Sequence, residues 1–94
     1  MVAKAVAKYA LPFGPFSPSR ITLSMPIEAE VLTAQMLHNA PVLWALIDPT
    51  AHKMDRVFEV AEADALISAG SLLYVGTVQL NGGAKVLHVF EVLA

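Results

Sequence analysis

The sequence predicts an all-β domain: a small antiparallel β-sandwich or open barrel of six or seven strands, with at most one short helical turn. Three observations carry this expectation. Asn81-Gly82-Gly83 lies between two β-rich runs, and an Asn-Gly turn so placed is the strongest short-range hairpin signal. The apolar run from Val42 to Ile47 has strand length and sits between two turn signals, Asn39-Ala40-Pro41 and Asp48-Pro49. The remaining apolar runs are equally short, and a series of short strands packs as a sandwich or barrel.

Along the chain, residues 2–11 alternate loosely, with Val2, Lys4, Val6 and Lys8 on one parity and Ala3, Ala5, Ala7 and Tyr9 on the other. This reads as a first strand, although the alanines leave a helix open. Pro12, Pro15 and Pro18 then break regular structure, because each fixes φ and lacks an amide donor. The resulting loop carries Phe13 and Phe16. Residues 20–25 are a short β-like run that ends at Pro26, a residue unsuited to a central strand. Intrinsic propensity favours a helix for residues 27–38. Against that, the fully apolar run that follows needs neighbours on both edges, so residues 31–37 are expected as a strand in a hairpin with it.

After a polar loop at residues 50–55, residues 56–62 have strand composition, with Phe58 and Val60 on one face and Glu59 on the other. Residues 63–70 are expected to make one helical turn capped by Gly70. The last hairpin joins residues 72–80 to residues 84–92. Its second strand is apolar on both parities, with Ala84, Val86, His88, Phe90 and Val92 on one side and Leu87, Val89 and Leu93 on the other. A two-layer domain needs only one such face, so a partner subunit, a short helix or the proline loop must cover the second.

The 94 residues fit a single domain, 1–94. Hydrophobic residues make up 56% and charged residues 15%, against roughly 45–50% and about 25% in soluble domains. Disorder is excluded as a description of the whole. The longest apolar run is six residues, far short of the roughly 20 that a membrane-spanning helix requires, and no membrane partner is expected. A chain this short buries only about 60–65% of its unfolded surface. The apolar surplus therefore predicts a homo-oligomer, with cyclic symmetry the default.

Six Lys and Arg against eight Asp and Glu give a formal charge of -2. The basic residues are scattered, which argues against polymeric nucleic acid, a partner that needs clustered cations. Without cysteine there is no disulfide, thiolate metal site or thiol nucleophile. An intracellular protein is expected, since Lys4 and Lys8 with no long apolar core do not make a secretory signal.

Two stretches carry a family resemblance: Asn39-Ala40-Pro41-Val42-Leu43-Trp44-Ala45-Leu46-Ile47-Asp48-Pro49, and Tyr74-Val75-Gly76-Thr77-Val78-Gln79 followed by Gly82-Gly83 and His88-Val89-Phe90-Glu91. They resemble a family of small phage and prophage proteins of unknown function, which shares a Pro-x-Leu-Trp-Ala-x-x-Asp-Pro strand and a C-terminal hairpin ending His-Val-Phe-Glu. Tyr9-Ala10-Leu11-Pro12 echoes that family's start, whereas the apolar stretch Phe13-Gly14-Pro15-Phe16-Ser17-Pro18 stands where the family is polar. The resemblance implies a phage or prophage origin and an all-β fold, and brings no assigned chemistry.

No catalytic constellation stands out. His38, His52 and His88 lack metal-ligand spacing, and no Ser lies in a Gly-x-Ser-x-Gly elbow. His88 and Glu91, three apart on a strand, leave opposite faces. No catalytic residue, metal or cofactor is assigned. For ligand binding, Trp44 defaults to core packing, but its face or that of Tyr74 can stack on a base. Arg20 and Arg56, at predicted strand edges, are solvated cations by default. Either can hold a phosphate if it lines an inter-subunit pocket, with Phe13 and Phe16 closing over it. The expectation is a non-enzymatic, homo-oligomeric phage accessory protein in the host cytoplasm. It would sequester a small anionic, nucleotide-like ligand such as a host-defence signal. The alternative is a protein-protein interaction module, either a host-protein inhibitor or a virion component.

Overall fold

The short apolar runs form strands. The computed structural model describes residues 3–13, 19–63, 65–67 and 70–93. Seven strands follow in order: β1 (Ala5–Ala10), β2 (Arg20–Pro26), β3 (Glu30–Leu37), β4 (Ala40–Ile47), β5 (Lys53–Glu62), β6 (Leu72–Leu80) and β7 (Lys85–Val92). They make two antiparallel sheets, one of three strands ordered β1-β4-β3 and one of four ordered β2-β5-β7-β6. The domain is an open β-sandwich.

Turn chemistry sets the registers. His38 and Asn39 join β3 to β4 with φ of 49° and 65°. Positive φ at both central residues is the type I′ geometry, whose twist matches that of the flanking strands, and it places Leu37 opposite Ala40. The apolar β4 thereby gains β3 on one edge and β1 on the other. Gly82 and Gly83, with φ of 65° and 93°, turn the last hairpin so that Leu80 faces Lys85. Positive φ costs glycine nothing sterically. Pro26 ends β2, an edge strand, where its missing amide breaks no ladder.

The boundaries differ from expectation in three places. The first strand is shorter, beginning at Ala5 rather than residue 2. The fifth begins earlier, at Lys53, because Lys53, Met54 and Asp55 pair with Pro26, Met25 and Ser24 of β2. One side of that pair faces water, so polar residues are tolerated in it. The helical turn expected at residues 63–70 is absent among the described residues of that segment. A nucleus so short gains too few hydrogen bonds to offset its ordering cost.

Between the sheets, Phe58, Met25, Leu43, Leu87 and Val89 are fully buried. Of the two apolar parities of β7, Leu87 and Val89 enter this core, while Val86, His88, Phe90 and Val92 lie half-buried on the outer side. Val89 is thus a core residue and not an interface residue. One side of the sandwich closes where β3 meets β6. Each carries an irregularity there, at Val31/Thr33 and at Tyr74/Gly76, and bulges of this kind bend strands. The joint is close, because a Cβ on Gly76 would lie 3.1 Å from the Ala34 amide nitrogen and the β3 backbone would have to give way by a few tenths of an ångström.

Candidate functional site

Strand register settles which side chains share the outward face of the three-stranded sheet. Leu43 and Ala45 of β4 point into the core, so Val42, Trp44 and Leu46 lie on the outer side, where Val42 is buried and Trp44 and Leu46 are half-buried. Their neighbours on β1 are Ala10, Lys8 and Val6, and on β3 Gln35, Thr33 and Glu30. The result is an apolar band along β4 flanked by mixed margins. Val6 is 59% exposed although apolar. Trp44, expected by default in the core, lies half-buried at the centre of this outer face. Its Nε1 donates to Gln35 Oε1 at 3.1 Å, so the polar atom of the indole is already satisfied and the ring surface remains.

The outward face of the four-stranded sheet is finished differently. Thr77 lies opposite His88 across the last hairpin. The Thr77 hydroxyl contacts His88 Nδ1 at 3.0 Å and is also hydrogen-bonded to the Tyr74 hydroxyl. The Tyr74 ring meets Phe90 edge-on, with centroids 5.7 Å apart. Arg20 and Glu59 face each other across β2 and β5, 3.5 Å apart. Glu59 is buried, and its Oε2 has no hydrogen-bond partner among the described residues. Arg20 is therefore held as the counter-charge of a buried carboxylate.

Arg56 sits inside the sandwich, not at a solvated strand edge. Its Nε and Nη2 donate to the two Glu91 oxygens at 2.7 Å each, and Nη1 donates to the Ala29 carbonyl. The side chains are only 16% and 7% exposed. Hydrogen bonding to Glu91 pushes the Arg56 pKa up, with burial opposing it. The guanidinium clamps the turn before β3 onto the larger sheet. A cleft of about 450 Å³ opens beside it, lined by Glu28, Asp55 and Glu91. These carboxylates oppose an anion there.

The residues nominated from sequence are dispersed in the protomer. Trp44 and Tyr74 stand on opposite outer faces, Arg20 is tied to Glu59, and Arg56 is internal. Phe13 lies 5.0 Å from Lys85 Nζ, ring centroid to nitrogen, away from both aromatics on strands. Phe16 lies outside the described residues. Sequence reasoning passed over Gln35, Thr77, Glu59 and Glu91 as partners of these groups. The Thr77–His88 pairing was available from the hairpin register. The Arg56–Glu91 pair was not, because it spans strands 35 residues apart in sequence.

Among the described residues no three His, Asp or Glu side chains are placed to hold a metal ion, and no helix is long and apolar enough to cross a membrane. A family model described as "Domain of unknown function (DUF7352)" matches residues 2–94. The chain belongs to this family. No curated protein and no solved structure shows significant similarity to it. The two outer faces differ: that of β1-β4-β3 carries the apolar row of β4, and that of the four-stranded sheet carries hydrogen bonds among its own side chains.

Proposed function

We propose that this chain is a non-enzymatic phage accessory protein of the host cytoplasm that acts by protein contact as a homo-oligomer, in the manner of a virion component or host-protein inhibitor. The observation that supports this reading is the outward face of β1-β4-β3, where exposed Val6 and half-buried Trp44 and Leu46 form an apolar surface. Exposed apolar patches with polar rims are the usual mark of protein interfaces, and a central Trp is the residue type most often dominant in them.

A second reading keeps the nucleotide-like ligand, supported by Tyr74. The residue is 58% exposed, and its hydroxyl is hydrogen-bonded to Thr77, which in turn contacts His88. Stacking contributes roughly 1–3 kcal/mol per base, which needs a cation to become a tight site for an anion. Both nominated cations are engaged by carboxylates in the protomer, so protein contact is the better supported reading. Two measurements on one preparation separate them. Light scattering is expected to give a multiple of 10.0 kDa, and a panel of nucleotides is expected to leave the melting temperature unchanged. A monomer stabilised by one nucleotide would reverse the order of the two readings.

A further inference from the structure

Resting on the oligomer reading, we propose that the outward β1-β4-β3 face docks on the same face of a second copy about a two-fold axis running along β4, pairing Lys8 of each copy with Glu30 of the other. Lys8 lies opposite Trp44 on the β1 side of this face. Glu30 lies opposite Leu46 on the β3 side. Within one copy they are two strand spacings apart, about 10 Å, and offset by two residues, about 7 Å. Among the described residues neither takes part in an ion pair. The face thus carries an unpaired cation on one margin and an unpaired anion on the other.

An isologous contact places a surface on itself, so its axis lies in the plane between the two faces. An axis across the strands sets each margin on its own copy, so that the two Lys8 side chains share one edge and the two Glu30 side chains the other, like charge beside like. An axis along β4 exchanges the margins, bringing the β1 edge of one copy over the β3 edge of the other. Each Lys8 then stands one two-residue step, about 7 Å, from the partner's Glu30 in the plane of the sheet, within reach of a lysine stem. Charge selects the second arrangement. It also keeps the strands of the two copies roughly aligned, the common geometry for stacked sheets.

The two Trp44 rings meet at the axis. Their N–H groups are already bonded to Gln35, so docking leaves no unsatisfied indole donor. Strands of six, eight and eight residues cover at most about 14 by 27 Å, or about 400 Å² per copy. This is half the roughly 800 Å² per partner of a standard interface, the size of a weak, reversible contact.

Sedimentation over a concentration series tests the geometry, with wild type, K8E, E30K and the double variant K8E/E30K compared and circular dichroism confirming each fold. Wild type is expected as a dimer, each single variant to weaken dimerisation by about tenfold, and the double variant to recover it. An oligomer indifferent to all three changes, a double variant no better than either single, or a trimer or larger ring would overturn this geometry and leave the oligomer reading standing. A wild type monomeric at every concentration would overturn both.

Discussion

On the outer side of β4, Val42, Trp44 and Leu46 follow one another with no polar residue among them. On the outer side of β7 the apolar Val86, Phe90 and Val92 are interrupted by His88. The second row is tied down by hydrogen bonds from within the protomer, through Thr77 and Tyr74. In the first, the one polar atom, the indole nitrogen, is bonded to Gln35 beside it, and what remains outward is hydrocarbon. On the proposed reading the two sheets of the same sandwich therefore have different destinations. A face with its own polar network is stable against water, and a face of satisfied aromatic and aliphatic groups gains by being covered.

The largest expected effect lies between the faces and erases both. In Glu91→Ala, Arg56 loses the carboxylate that holds it inside the sandwich. Stability should fall by about 3–5 kcal/mol in urea unfolding, and any assembly should be lost with the fold. Next comes the joint between the sheets. In Gly76→Ala the new methyl would crowd the Ala34 backbone at 3.1 Å, for a loss of about 1–3 kcal/mol by the same measurement.

Changes on the polar face should be smaller and should not touch assembly. Thr77→Val removes the hydroxyl that links Tyr74 to His88. It should cost about 0.5–1.5 kcal/mol while leaving the sedimentation coefficient unchanged.

The smallest effect belongs to the turn after β4. The Thr50 hydroxyl and amide both donate to Asp48, and these bonds hold its carboxyl below the ordinary 3.8. A depressed carboxylate favours the fold above its unfolded pKa and loses that contribution as pH falls through the folded value. NMR titration should give Asp48 a midpoint below 3.8. Thr50→Ala should raise it towards that value.

Much of the fold was legible in the sequence because its signals are local. The hairpin around Asn81-Gly82-Gly83 needs only glycine at positive φ. The β3–β4 hairpin was the harder case, since helix propensity at residues 27–38 opposed it. What decided it is that β4, apolar on both parities, cannot stand without partners on both edges. The helical turn read at residues 63–70 does not appear at residues 63, 65–67 and 70, the described part of that segment. Faces were less legible than strands. Parity divides β7 into two sets but does not say which enters the core, and Val89 went inside. Arg56 looked like a strand-edge cation because its partner, Glu91, is brought to it only by the β5–β7 pairing. Trp44 was read by composition as core, whereas the neighbouring Leu43 and Ala45 occupy that side.

The claim that the two outer faces differ in destination is tested most directly by placing one charge on each. Trp44→Glu and Tyr74→Glu alter aromatic residues on opposite sheets, neither of them fully buried. Analytical ultracentrifugation of both, with circular dichroism to confirm the fold, should find Trp44→Glu monomeric and Tyr74→Glu assembled as wild type. A folded Trp44→Glu variant that keeps the wild-type mass, or a Tyr74→Glu variant that alone dissociates, would contradict the account.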